Sequence, residues 1–163
     1  MGRTGGWKSL VLFLSLAGTV EARAQAMTWM LGGGMTNSAA DLSAMDVHGM
    51  AGVTFALKGS LGFRADALLS AVPQGAMLAA TGNIVLGLVP GEEEFKGFYG
   101  FGGGGVVLVG GETRVGLNGG GGIRFPINDA MGVFLEGRYY RILGGTGNPD
   151  MLTATIGLEF RVH

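Results

Sequence analysis

Few residues in this 163-residue chain could do chemistry, and none of them is set in a pattern that does it. His48 is the only internal histidine; the other is the last residue, His163, and there is no cysteine. A histidine can activate a hydroxyl nucleophile as a general base. No Gly-x-Ser-x-Gly elbow accompanies His48, so it reads as a residue at the rim of its element. One internal histidine without cysteines or clustered carboxylates is also too small a donor set for a metal. Residues 100–105 (Gly-Phe-Gly-Gly-Gly-Gly) contain the G-x-G-x-x-G spacing of a dinucleotide loop. That loop needs a helix after it, whereas Val106, Val107, Leu108 and Val109 continue as strand. Glu92, Glu93 and Glu94 follow Pro90-Gly91, where three carboxylates read as a solvated turn. The expectation is a non-enzyme with no cofactor, no metal and no catalytic residue.

Charge placement carries more information. Over residues 61–70, Leu61, Phe63, Ala65, Ala67 and Leu69 alternate with Gly62, Arg64, Asp66, Leu68 and Ser70. Over 113–125, Thr113, Val115, Leu117 and Ile123 alternate with Arg114, Asn118 and Arg124. Over 131–142, Val133, Leu135 and Tyr139 alternate with Glu136 and Arg138. At the C-terminus, Leu152, Ala154, Ile156, Leu158 and Phe160 alternate with Thr153, Thr155, Gly157, Glu159 and Arg161. A period of two is the mark of a β-strand with two unlike faces, and the charges named here keep to one parity within each segment.

Those faces need elements to hold them. Candidate strands cover residues 28–34, 48–57, 61–70, 76–88, 97–109, 113–125, 131–142 and 151–162, separated by turn residues such as Lys58-Gly59-Ser60, Pro73, Gly110-Gly111 and Pro126-Ile127-Asn128-Asp129. Residues 35–45 and 143–150 read as loops. Eight antiparallel strands is the smallest usual number for a closed barrel, and strands of about ten residues cross a bilayer when tilted. Composition agrees. Mean hydropathy is +0.39 and only 14% of residues are charged, yet no apolar run reaches the roughly 18 residues a spanning helix needs. Lipid-facing residues at every second position reconcile these facts. Gly supplies 34 residues without a Gly-X-Y period, which excludes collagen.

The first 26 residues read as a cleavable signal peptide. Arg3 and Lys8 precede the apolar stretch 10–16, and Ala22-Arg23-Ala24 and Ala24-Gln25-Ala26 are small-x-small sites, with cleavage after Ala26 favoured over Ala24. Removal leaves 8 basic and 11 acidic residues, a net charge of −3, which gives no electrostatic basis for nucleic-acid binding. The fold class expected is all-β: an eight-stranded antiparallel up-and-down transmembrane β-barrel over 27–163, after a signal peptide over 1–26. With both termini periplasmic, turns near residues 58–60, 89–95 and 126–130 are periplasmic, and residues 35–45, 71–75, 110–112 and 143–150 face outward.

A charge on a lipid face costs several kcal/mol, so the charged parity must be the lumen. Arg64, Asp66, Arg114, Arg124, Glu136, Arg138, Glu159 and Arg161 are therefore expected to form a lumen charge network that fills a narrow barrel. Phe63, Tyr99, Phe101, Phe125, Tyr139 and Phe160 are expected as lipid-facing or interfacial aromatics.

Phe98-Tyr99-Gly100-Phe101-Gly102-Gly103-Gly104-Gly105, the stretch 118–126 (Asn-Gly-Gly-Gly-Gly-Ile-Arg-Phe-Pro), Phe134-Leu135-Glu136-Gly137-Arg138-Tyr139-Tyr140 and the terminal strand give the chain a resemblance. In their order and spacing they resemble the small outer-membrane barrel family of opacity-like and outer-membrane-protein-A-like domains. The resemblance covers essentially all of residues 27–163. It implies a cell outer-membrane location in a Gram-negative envelope, the lipid bilayer as partner, and recognition of the C-terminal strand by the barrel-assembly machinery. Family members usually end on an aromatic residue, whereas here Arg161-Val162-His163 follow Phe160. The function expected is a structural or surface-interaction barrel, with a possible surface ligand at the outward loops. Two alternatives stand beside it: a narrow porin-like pore for small solutes or ions, and an exported soluble lipocalin-like barrel with the apolar parity inside.

Overall fold

Alternating side chains make each segment a two-faced ribbon, and a ribbon with two free edges is stable only if those edges are paired. Here they pair with each other. The computed structural model describes residues 27–39, 41–58, 60–72, 75–87, 97–144 and 150–162. It holds eight strands: β1 (Met27–Ser38), β2 (Asp41–Lys58), β3 (Leu61–Val72), β4 (Gly75–Gly87), β5 (Gly97–Val109), β6 (Glu112–Pro126), β7 (Met131–Leu143) and β8 (Met151–Val162). Each pairs antiparallel with its sequence neighbours, and β1 pairs with β8, so the sheet closes into a barrel in up-and-down order β1 to β8. The eight strands expected from the segments between turns are therefore present, and the closed barrel is borne out. The proposed signal peptide, the Glu92-Glu93-Glu94 turn and His163 lie outside the described residues.

The seam is the glycine-rich β1 against β8, from Met27 opposite Val162 to Ser38 opposite Met151. Opposite Gly32 stands Gly157, and a Cβ on Gly157 would press on the ring of Phe134 at 2.6 Å. Small residues here let a large lumen side chain sit beside the closing strands. At the far end Gly110 and Gly111, with φ of 57° and 79°, make the two-residue turn between β5 and β6, the doubly left-handed geometry that suits the twist of a hairpin.

The first outward loop is a correction. Residues 35–45 do not form a loop: β1 runs on to Ser38, β2 starts at Asp41, and the register shifts at Asn37/Ser38. The polar composition of Thr36-Asn37-Ser38 hides a strand because Thr36 faces the lumen, buried. Pairing with β8 through Ser38 carries the rest of β1 along.

Candidate functional site: a filled and layered lumen

The lumen is crossed at mid-height by a closed ring of four charges. Arg64 and Asp66 project from β3, and Glu136 and Arg138 from β7. In an eight-stranded barrel β3 and β7 stand opposite one another, so the ring spans the diameter. Arg64 Nη1 donates to Glu136 Oε2 at 2.6 Å, and Arg138 Nη2 to Glu136 Oε1 at 2.8 Å. Arg138 Nη1 donates to Asp66 Oδ1 at 2.7 Å. Arg64 Nε closes the ring 2.9 Å from Asp66 Oδ2, an ion-pair contact without hydrogen-bond alignment. All four side chains are buried, and their charges sum to zero. Neutral, multiply bonded rings are the form in which buried charge is tolerated.

Neutral side chains from β4 and β5 hold this ring. Thr81 Oγ1 donates to Asp66 Oδ1 at 2.7 Å and Asn83 Nδ2 to Asp66 Oδ2 at 3.2 Å. Tyr99 Oη donates to Glu136 Oε2 at 2.9 Å. The Arg64 and Arg138 guanidinium carbons lie 4.2 and 4.8 Å from the Phe101 ring centroid, within cation–π range.

Tyr99 and Phe101 thus overturn an expectation. Both were expected among the lipid-facing aromatics, and both are inside, 2% and 7% exposed. The reason lies on the neighbouring strand. Gly120 and Gly122 sit on the inward parity of β6, where a Cβ would stand 2.8 Å from Phe101 Cζ and 2.7 Å from Tyr99 Oη. The glycines leave a hollow in the wall, and the two rings fill it. β5 carries no charge between Gly97 and Val109 to mark its inner face. The usable signal was the pair of inward glycines next door.

Toward the termini, Arg124 Nε approaches Glu159 Oε2 at 3.0 Å and the Arg124 guanidinium lies 4.3 Å from the Tyr99 ring centroid. Toward the opposite end the lumen turns apolar, with Leu68, Met77, Ala79, Val107, Tyr140, Ile142 and Met151 packed as one cluster. Beside that cluster His48 is buried, bridging Thr36 Oγ1 at 2.9 Å and Thr155 Oγ1 at 2.8 Å. It is a structural cross-link between β1, β2 and β8.

Of the eight residues expected in one lumen network, six are buried in the interior: Arg64, Asp66, Arg124, Glu136, Arg138 and Glu159. Arg114 is not among them. It stands at the rim away from the termini, its side chain 21% exposed, and bonds Glu112 on the same strand at 2.7 Å. Arg161 lies at the opposite mouth, 4.0 Å from Glu159. The strand ends therefore set a limit on the network that parity alone does not show.

The outer wall is apolar. Trp29, Leu31, Leu69, Ile84, Leu117, Leu135 and Ile156 are all exposed, as are Phe63, Phe125, Tyr139 and Phe160. The exposed aromatics concentrate near the end that carries the termini: Trp29 is opposite Phe160, and Phe63, Phe98 and Phe125 stand near the same end on β3, β5 and β6. Tyr139 sits apart, its hydroxyl donating to Asp150 Oδ2 at 2.6 Å.

No protein-family profile matches the sequence, and no curated protein does. Solved structures do resemble the fold. The N-terminal β-barrel domain of Pseudomonas aeruginosa OprF gives a TM-score of 0.62 at 8% identity, over 85% of this chain and 97% of that one. Neisserial surface protein A gives 0.59 at 11% identity, over 85% and 97%. Ail, the attachment invasion locus protein of Yersinia pestis, solved with the heparin analogue sucrose octasulfate, gives 0.55 at 11% identity, over 85% and 99%. These are small eight-stranded outer-membrane barrels, and the likeness is one of fold.

Proposed function

We propose that this chain is an integral outer-membrane β-barrel of structural or surface-interaction type, non-enzymatic, with its lumen closed by its own side chains. The observation that carries the reading is its inverted polarity: a charged ring at the centre and large apolar side chains over the outer wall. In water that wall would be a cost on every strand, whereas in a bilayer it is the driving force, because closure leaves no backbone group unpaired in lipid. The same polarity speaks against a soluble lipocalin-like carrier, which keeps its apolar face inside. The terminal position of the aromatic belt fits the membrane interface on the periplasmic side.

The surface-interaction part rests on little protein. Two residues separate β1 from β2, β3 from β4, and β5 from β6. The β7–β8 connection, seven residues between Leu143 and Met151, is the remaining one on that side. The wall is thus the largest surface on offer, which favours lipid as the main partner. Recognition by the assembly machinery falls to β8, whose Phe160 faces outward.

Fractionation tests the reading. The protein is expected in the outer-membrane pellet after carbonate and high-salt washing, and to shift in gel mobility on boiling. Release by either wash sinks the proposal. A porin-like pore predicts stepwise current in planar bilayers; the charge ring and the apolar cluster above it predict none.

A further inference from the structure

One part of the lumen has polar groups without partners. Asn118, on the inward face of β6, is 8% exposed, and neither its Oδ1 nor its Nδ2 is hydrogen-bonded among the described residues. Asn83, on β4, is 1% exposed. Its Nδ2 donates to Asp66 and to Thr81, while its Oδ1 has no donor among the described residues. The two asparagines belong to one row of the sheet. Gly103 on β5 is the direct neighbour of both, opposite Asn83 on one side and Asn118 on the other. A Cβ on Gly103 would fall 2.7 Å from Asn83 Oδ1, so glycine keeps the ground between the two amides clear.

We propose that Asn118 and Asn83 form a bound-water site across Gly103. Two strand spacings set the asparagines about 9.6 Å apart at the backbone, and inward-reaching side chains shorten that to a gap that water, with hydrogen bonds of about 2.8 Å on each side, can bridge. Water suits the chemistry better than an ion. The unmet groups are a donor and two acceptors of neutral amides, and a water makes two to four bonds of both kinds. The site continues inward through Asn83 Nδ2 and Thr81 to Asp66, so the water would be the outward end of the network that holds the charge ring. Outward of it lies the apolar cluster of Val107, Tyr140 and Ile142. The inference needs only the closed barrel, not the membrane reading.

The test uses the full chain, isotope-labelled and purified in detergent micelles. Water-selective NMR is expected to give cross-peaks between long-lived water and the side-chain amide protons of Asn118 and Asn83. Their absence at both residues overturns the site. Asn118→Leu gives an independent reading through the sign of its effect. If water bridges the amides, the substitution strands Asn83 Oδ1, the Asn83 water signal disappears, and the melting temperature falls by about 2–4 °C. If Asn118 is merely unpaired, replacing it removes a buried polar group and the melting temperature rises, which overturns the proposal. Should Asn118→Leu fail to fold, the NMR experiment on the native chain decides alone.

Discussion

Glu136 is the residue on which most of the lumen converges: it accepts from Arg64, Arg138 and Tyr99. Removing it leaves two guanidinium groups facing Asp66 alone, an uncompensated positive charge in a buried ring. Glu136→Ala is therefore expected to destabilise the barrel by about 3–5 kcal/mol, read as a lower urea midpoint of the heat-modifiable form. Adding Arg64→Met restores neutrality around the remaining Asp66–Arg138 pair. The double variant should be more stable than Glu136→Ala alone. If the two are equally unstable, the four residues do not act as one neutral unit. These charges were legible in the sequence because lipid forbids them on one parity. Which acid meets which base was not, because pairing across the diameter depends on strand number and register. Arg114 shows the same limit: parity gives its face, not its height.

Elements show where the alternation rule loses force. β5 and β6 are largely glycine at their middles, and a residue without a side chain marks neither face. Alternation alone therefore sends Tyr99 and Phe101 to lipid, whereas the hollow beside Gly120 and Gly122 is filled by these rings from the next strand. Two kinds of glycine follow, and they predict different outcomes. A Cβ on Gly122 would lie 2.5 Å from the Leu135 carbonyl oxygen and 2.7 Å from Tyr99 Oη. Gly122→Ala should then cost about 1–3 kcal/mol by overpacking and displace Tyr99 from Glu136. Gly137 lies on the outward parity of β7, and a Cβ there meets nothing. Gly137→Ala is expected to be neutral or to stabilise by up to about 1 kcal/mol through the unfolded chain. Chemical unfolding of both variants side by side checks this; equal losses would mean that the inward glycines are not making room for the rings.

For the whole molecule the decisive property is which side of the wall is greasy. The strand count could be read from the sequence because turn residues part the chain into eight segments of strand length and the segments that do alternate agree, whereas the length of the β1–β2 hairpin could not, being set by pairing with β8. Ile156 tests the inversion directly. It lies in the middle of β8, opposite Gly33 on β1 and Leu135 on β7, and is 60% exposed. On a water-soluble barrel an arginine there would be a surface substitution, worth within about 0.5 kcal/mol. In a bilayer the same residue must place a guanidinium near the midplane, at a cost of about 2–4 kcal/mol. Ile156→Arg is therefore expected to lower folding stability in lipid vesicles by that amount. Thr155→Val on the same strand would act through a different cause, loss of the His48 contact, and so serves as the control for local damage. An Ile156→Arg variant as stable in vesicles as the parent would mean that this face of β8 does not meet lipid, and the outer-membrane assignment would fall with it.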